Sequence, residues 1–134
     1  MTILVDPLDG IPLTEEELQE LEQEVFLESP DDWYVNNLSE ILARTNKVTC
    51  GQRLDFYRWK GPNGETYCFA NPGTLTYTTS TDVVKLCPGA NKGRTYYKFN
   101  GTNYWSQWRG PETNQNICYS FGQTVKAYGV NIGK

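Results

Sequence analysis

Few residues of this chain can do chemistry, and histidine is not among them. None of the 134 residues is histidine, which excludes Ser-His-Asp and Cys-His catalysis and metal sites with histidine ligands. The cysteines, Cys50, Cys68, Cys87 and Cys118, include no Cys-x-x-Cys pair, so their spacing favours neither a zinc ribbon nor a thioredoxin-like redox site. No glycine-rich phosphate-binding motif opens a helix, which argues against a nucleotide enzyme.

The remaining candidates for acid–base chemistry are four carboxylates that follow residue 46, namely Asp55, Glu65, Asp82 and Glu112. Two of them could flank a glycosidic bond, but carboxylates among eleven cations are more often partners in surface ion pairs. We therefore predict no enzymatic activity. The nearest approach to a calcium-binding pattern, Asn-Asn-Leu-Ser-Glu at 36–40, ends in glutamate within a predicted helix, so we predict no metal and no cofactor.

Aromatic and cationic residues are concentrated between Tyr96 and Arg109. In a hairpin, alternation puts Tyr104 and Trp108 on one face and Trp105 on the other, and both faces cannot be core. This predicts an exposed aromatic surface beside cations, which suits a glycan, an anionic membrane surface or a single-stranded nucleic acid. The alternative is that both tryptophans fill opposite sides of a small sandwich covered by loops or by N-terminal helices. The candidate binding residues are Arg94, Lys98, Tyr104, Trp105, Trp108 and Arg109.

The net charge of −4 conceals two segments of opposite sign. Residues 1–46 carry twelve acidic residues and one basic residue, whereas residues 47–134 carry eleven basic and four acidic residues. All four cysteines and most of the aromatic residues follow the same boundary. We therefore divide the chain into an acidic segment (residues 1–46) and a basic domain (residues 47–134).

The acidic segment carries two helix signals. Thr14 and Glu17 form a capping-box pattern, which predicts a helix from about Glu15 to Glu28 with Leu18, Leu21 and Val25 on one face. A serine–proline start at Ser29 predicts a second helix, to about Ala43, with Val35, Leu38, Ile41 and Leu42 facing inward. Two such short amphipathic helices bury little alone, so they either dock on something or remain partly disordered.

The basic domain reads as about eight short strands without helical periodicity, which favours a compact Greek-key β-sandwich. The predicted strands are 54–59, 65–70, 73–79, 82–86, 95–99, 103–108, 117–121 and 125–132, and Asn100-Gly101 is a strong tight-turn signal. A core of this size often needs covalent staples, which makes the even cysteine count meaningful. Four cysteines permit three pairings, and the alternative is a cytosolic protein with four reduced thiols.

These residues resemble the killer-toxin-like branch of the β/γ-crystallin superfamily. The resemblance rests on the order and spacing of Val48-Thr49-Cys50, Asp55-Phe56, the segment Cys68 to Gly73, the turn Pro88 to Asn91, Tyr96-Tyr97 and Asn100-Gly101. It implies a sandwich of two Greek keys in a small secreted protein that is toxic to microbes. It also implies a disulfide between Cys50 and Cys68, which leaves Cys87 and Cys118 as a second bridge.

Together these features predict a non-enzymatic antimicrobial, toxin-like protein whose basic domain binds a microbial envelope through a glycan or membrane surface, with nucleic acid not favoured. The acidic segment is either a leader or pro-segment, read by export or processing machinery, or a permanent helical extension. No signal peptide is visible, so secretion would follow a leader-dependent or other non-standard route. The rival hypothesis is a binding or inhibitor module for a protein, such as a protease, or for a carbohydrate.

Overall fold

The computed structural model describes residues 2–23, 25–27 and 46–133. In these residues the chain is mainly β, as predicted, with one α-helix, α1 (Glu15–Gln23), and a 3-10 turn at Pro7–Asp9. The strands are β1 (Thr2–Leu4), β2 (Ile11–Pro12), β3 (Val25–Leu27), β4 (Asn46–Val48), β5 (Tyr57–Lys60), β6 (Thr66–Ala70), β7 (Gly73–Cys87), β8 (Gly93–Phe99), β9 (Thr102–Trp105) and β10 (Cys118–Ile132). No helix in the described part of the chain has the length and apolar character needed to cross a bilayer.

Two 15-residue strands, β7 and β10, organise the sheet. They pair with each other antiparallel along both their halves, and the register shifts near the middle. On one side the order continues from β10 through β8 and β9 to β2, which we call the β8 half. On the other side it continues from the end of β7 through β5 and β6 to β4, which we call the β5 half.

The sequence predicted β7 and β10 as two separate strands each, whereas the structure has each as one. The predicted breaks, at residues 80–81 and 122–124, lie in or beside two exposed stretches of polar residues and glycine, 78–80 and 122–124. Register shifts occur in the same part of β10, between Ser120 and Val125. A polar, exposed stretch inside a strand therefore looked like a turn in the sequence, although the chain continues in the same direction through it.

The turn between β8 and β9 is confirmed as the sequence predicted. Asn100 and Gly101 both have positive φ, 51° and 81°, which is the backbone that a two-residue type I′ turn requires. Asparagine and glycine tolerate this left-handed conformation better than other residues. The turn fixes the register of the hairpin, in which Tyr96 lies opposite Trp105 and Tyr97 lies opposite Tyr104.

Aromatic residues from both halves of the sheet share the main core. Trp59 of the β5 half packs edge-on against Phe69, with ring centroids 4.6 Å apart. Two polar groups of this core share one partner, because Thr95 Oγ1 of the β8 half lies 2.8 Å from the Tyr57 hydroxyl and accepts from Trp59 Nε1 at 3.0 Å. The fully buried Tyr57 hydroxyl has a raised pKa, because burial disfavours the phenolate.

The predicted disulfides, Cys50–Cys68 and Cys87–Cys118, are confirmed. The second joins the end of β7 to the start of β10, and the first ties the loop after β4 to β6. Each covalent link of this kind contributes roughly 2 to 4 kcal/mol to the stability of a small domain. The first disulfide therefore lies within the β5 half, and the second ties the two long strands together at the end of β7 that pairs with β5.

The helix in the acidic segment begins as predicted and ends earlier. Its capping box is formed, because the Glu17 amide donates to Thr14 Oγ1 at 3.2 Å and the Thr14 amide donates to Glu17 Oε1 at 3.4 Å. The prediction that the helix continues to Glu28 is wrong, since residues 25–27 form β3, parallel to β7. Valine, phenylalanine and leucine fit a strand when a sheet edge is available to pair with. The second predicted helix, and the calcium pattern at 36–40, lie outside the described residues.

The described part of the acidic segment docks on the basic domain by strand pairing. β1 lies parallel to the start of β10, β2 lies antiparallel to β9, and β3 lies parallel to β7. The segment thus adds a strand at each of three places in the sheet, and α1 lies between two of these strands in the sequence. The sequence left open whether this segment docks or remains partly disordered, and its described residues dock on the basic domain.

Candidate binding face

The strands of the β8 half present a second aromatic cluster on the face opposite the main core. Tyr96 is its centre, with ring centroids 6.0 Å from Trp105 and 5.5 Å from Tyr128. Three leucines of the acidic segment cover it, Leu13, Leu18 and Leu21, of which the last two belong to α1. We call the surface formed by Tyr96, Trp105 and Tyr128, together with the side chains beside them on the same face of β7 to β10, the outer face.

Tyr104 and Trp105 point to opposite sides of β9, as the alternation predicted, and both are buried. Tyr104 stacks on Tyr97 in the main core, with ring centroids 5.5 Å apart. Trp105 is only 4% exposed because it lies in the cluster beneath α1. Neither ring is therefore on the surface of the full chain. For Trp105, therefore, the alternative given in the sequence analysis is the one found, because an N-terminal helix covers this tryptophan.

Trp108 is the exposed aromatic residue of the predicted set, at 38% exposure. The Arg94 guanidinium carbon lies 4.6 Å from its ring centroid and 4.2 Å from that of Trp105, so Arg94 contacts both tryptophans. Lys92 Nζ lies 5.2 Å from the Trp108 ring on the exposed side. Cations at these distances are attracted to the negative faces of the rings. The result is a row of alternating cations and indoles that runs from solvent to the outer face.

Arg94 is also held by polar contacts. Its Nε donates to Asn131 Oδ1 at 3.2 Å. Partial burial lowers the pKa of the guanidinium, and the charge of Glu17, on α1, acts in the opposite direction. An arginine remains charged under all ordinary conditions, so this site is a fixed positive charge beneath an acidic helix.

The other two predicted cations lie outside this row of cations and indoles, Arg109 over Tyr119 and Lys98 at the edge of the outer face. Arg109 is over the ring of Tyr119, at 4.6 Å from its centroid, and lines a small pocket with Asp6 and Asp9 of the acidic segment. Lys98 is exposed near the β8–β9 turn, opposite Asn103. The structure thus brings together Arg94, Trp105 and Trp108, but not Tyr104 or Arg109 with them. The prediction that Trp108 shares a face with Tyr104 is wrong, because β9 ends at Trp105 and the alternation does not continue to Trp108.

Sequence reasoning missed three members of this surface, Tyr96, Tyr128 and Lys92. Tyr96 could have been found, because it alternates with the core residue Tyr97 on a strand already predicted. Tyr128 lies on β10, far from the others in sequence, and joins them only through the pairing of β10 with β8. Lys92 lies before β8, where no strand pattern fixes its direction.

Three of the four carboxylates considered for catalysis have local partners, whereas Glu65 Oε1 is buried without a hydrogen bond to the described residues. Asp55 pairs with Arg53, and this hydrogen-bonded guanidinium lowers the pKa of the carboxyl. Asp82 pairs with Lys126, and Glu112 accepts a hydrogen bond from the Tyr119 hydroxyl. That hydroxyl has a raised pKa, first through burial and then through the bond to Glu112. Within the residues that the structure describes, no group of three or more acidic or cysteine side chains is placed to hold a metal ion.

Comparison of the chain with protein-family models, with curated proteins and with solved structures found no match.

Proposed function

We propose that this chain is a non-enzymatic, toxin-like antimicrobial protein whose basic domain binds a microbial envelope, and that the acidic segment is a pro-segment that covers the binding surface until it is released. One observation carries the proposal: the acidic segment packs directly over the aromatic and cationic surface of the basic domain. A solvated extension without a role would not need to cover that surface.

The fold supports the proposal in a general way. Two halves of a sheet that share one aromatic core are compatible with a Greek-key sandwich of the killer-toxin-like type. Both disulfides belong to the basic domain, and disulfides persist in oxidising compartments. The disulfides support our proposal that the released domain acts outside the producing cell, after export through a leader-dependent or other non-standard route.

The charge distribution supports an acidic segment that can dissociate from the basic domain. Charges of opposite sign favour docking within one chain, and their attraction is screened over roughly 8 to 10 Å at ordinary salt. Once the connection between the two parts is cut, docking becomes bimolecular and depends on concentration. A cut between α1 and β4 would therefore convert a stable cover into a dissociable one at high dilution.

The test compares the full chain, carrying a specific protease site between residues 28 and 45, before and after cleavage. Both forms are applied to a broad panel of bacteria and fungi, with cell binding and growth as readouts. We expect the cleaved protein to bind and inhibit at least one organism, and the uncut protein to do so at least tenfold less well. If the cleaved protein neither binds nor inhibits any organism, the proposal fails.

The same experiment separates the rival hypothesis. An inhibitor module would bind one soluble target, such as a protease, in a fixed stoichiometry and would leave the cells alive. Catalysis by carboxylates would be indicated instead by an activity that is lost when Asp55, Glu65, Asp82 or Glu112 is replaced singly.

A further inference from the structure

We propose that the outer face is a polysaccharide-binding platform, and that α1 occupies it in the full chain. This inference rests on the proposed function, because it names the ligand class of the surface that the acidic segment covers. It assigns the binding to residues beneath the helix rather than to the exposed surface alone.

The residues of the outer face lie in three cross-strand rows. Tyr96 lies opposite Trp105, Arg94 lies opposite Asn131, and Lys98 lies opposite Asn103. The row of Arg94 and Asn131 continues to Thr74 of β7, whose hydroxyl accepts from the Asn131 amide at 3.0 Å. Indole and phenol rings are thus flanked on both sides by amides, a hydroxyl and cations.

This composition suits a sugar chain. The apolar C–H faces of pyranose rings pack on indole and phenol rings, while amide, hydroxyl and guanidinium groups bond the ring hydroxyls. The face spans several adjacent strands, so its aromatic rings are spaced along a surface rather than enclosed in a pocket. A polymer of sugars fits such a surface better than a single small molecule does.

The same composition disfavours the other partners. On β8 and β9 the outer-face residues are Arg94, Tyr96, Lys98, Asn103 and Trp105, and none of them is aliphatic, whereas a membrane-binding surface also carries leucine-type side chains that insert into the bilayer boundary. Single-stranded nucleic acid needs a positively charged groove along its backbone, and here the central cation, Arg94, is already stacked on two indoles.

The cover supplied by α1 is small and separable from the core. Its apolar contribution is Leu18 and Leu21, with Leu13 before the helix, and Thr76 Oγ1 donates to the Leu21 carbonyl at 3.2 Å. The covered cluster is distinct from the main core. A helix of nine residues is marginal alone in water, so it loses its structure once it leaves the face.

The exposed end of the cation–indole row gives a ligand its first contact. Trp108 and Lys92 are accessible in the full chain, and Arg94 links them to Trp105. A polysaccharide that touches Trp108 can reach Trp105 and Tyr96 only when α1 has moved. The full chain should therefore bind weakly, and the uncovered chain strongly.

The experiment uses the full chain with the helix displaced by substitution. Leu18→Asp combined with Leu21→Asp places two charges against the aromatic cluster, and Gln19→Asp adds the same group on the exposed side of the helix as a matched control. Gly10→Ala is an independent displacing variant, because a Cβ there would lie 2.9 Å from the Trp105 carbonyl oxygen. Near-ultraviolet circular dichroism and intact mass are used to check that each variant retains the core and the two disulfides.

The probes are insoluble chitin, β-1,3-glucan, mannan and peptidoglycan, with phosphatidylglycerol vesicles as the lipid probe. We expect both displaced forms to bind at least one polysaccharide at least tenfold more tightly than the unaltered chain and the Gln19→Asp control. Adding Trp105→Ala to the displaced form should reduce this binding at least tenfold.

Binding to vesicles alone, no binding to any of the four polysaccharides, or binding unaffected by Trp105→Ala would overturn the inference. These failures are distinguishable from failure of the proposed function. A displaced or cleaved form that still binds and inhibits cells without polysaccharide binding leaves the antimicrobial proposal in place and removes only the platform.

Discussion

The buried hydroxyl of Tyr97 donates a hydrogen bond to the backbone carbonyl of Pro7, 90 residues earlier in the chain. Tyr97 belongs to the main core of the basic domain, and Pro7 begins the 3-10 turn of the acidic segment. The segment is therefore fitted into the domain through a specific buried contact, in addition to its opposite charge. This contact and the leucines over Trp105 together hold the cover in place.

Replacing Tyr97 with phenylalanine should loosen the acidic segment. The Pro7 carbonyl would lose its donor, and a buried group left without its partner costs roughly 1 to 3 kcal/mol. Urea unfolding of the full chain measures this loss. The matched control is Tyr128→Phe, since the Tyr128 hydroxyl makes no hydrogen bond to the described residues. Equal stability losses in the two variants would contradict the role given to the Tyr97–Pro7 bond.

Gly10→Ala should displace the segment by steric conflict. The added Cβ would lie 2.9 Å from both the Trp105 carbonyl oxygen and Tyr104 Cβ, and it would also meet the Tyr97 hydroxyl. We expect amide hydrogen exchange in β1 and β2 to become at least tenfold faster. Gly133→Ala is the control, because its Cβ would meet only ordinary contacts, the nearest at 3.5 Å. Unchanged amide exchange in Gly10→Ala would contradict the close packing of the acidic segment against the basic domain at Gly10.

Stability should fall at alkaline pH. Burial raises the pKa of the Tyr57 and Tyr97 hydroxyls above the unfolded value of about 10. Their contribution is complete below about pH 10 and is lost as the pH rises further, because only the unfolded chain ionises there. Each tyrosine then lowers the free energy of unfolding by up to about 1.4 kcal/mol per pH unit.

Urea unfolding from pH 8 upwards measures this slope. Tyr97→Phe removes one of the two buried hydroxyls and should reduce the slope. The same slope in the variant and in the unaltered chain would mean that Tyr97 ionises in the folded state as readily as in the unfolded one.

Removing the Cys87–Cys118 bridge should destabilise the basic domain. Replacing both cysteines with serine releases a link across 31 residues, at a cost of roughly 2 to 4 kcal/mol. Because this bridge joins β7 to β10, whose pairing connects the two halves, the loss should appear in a single unfolding transition of the whole sheet. A thermal midpoint unchanged from that of the intact protein would contradict this.

Local features of the fold could be predicted from the sequence. The capping box of Thr14 and Glu17 and the tight turn at Asn100-Gly101 form as predicted, because each depends only on residues within four positions of one another. The strand identity of β3 could not be predicted, because it depends on pairing with β7, about 50 residues later in the chain. In isolation Val25 continues a helical pattern, and the sheet edge overrides it.

The candidate site could also be predicted only in part, because its local pattern is visible in the sequence and its long-range contacts are not. Alternation correctly separates Tyr104 from Trp105, but it cannot say what covers each face. The cover of Trp105 comes from leucines 84 to 92 residues earlier in the chain, and Tyr128 reaches the cluster from β10. Charge alone indicated that the two parts of the chain attract each other, whereas the contacts between Leu21, Trp105 and Tyr96 show where they meet.

The central claim is that the acidic segment is a removable cover on a disulfide-bonded binding domain, and intact mass of the protein recovered outside the producing cells tests it most directly. The account predicts a species that begins near Lys47 and is about 4 Da lighter than its fully reduced mass, since each disulfide removes two hydrogens. A full-length, reduced chain found only in the cytosol would contradict it.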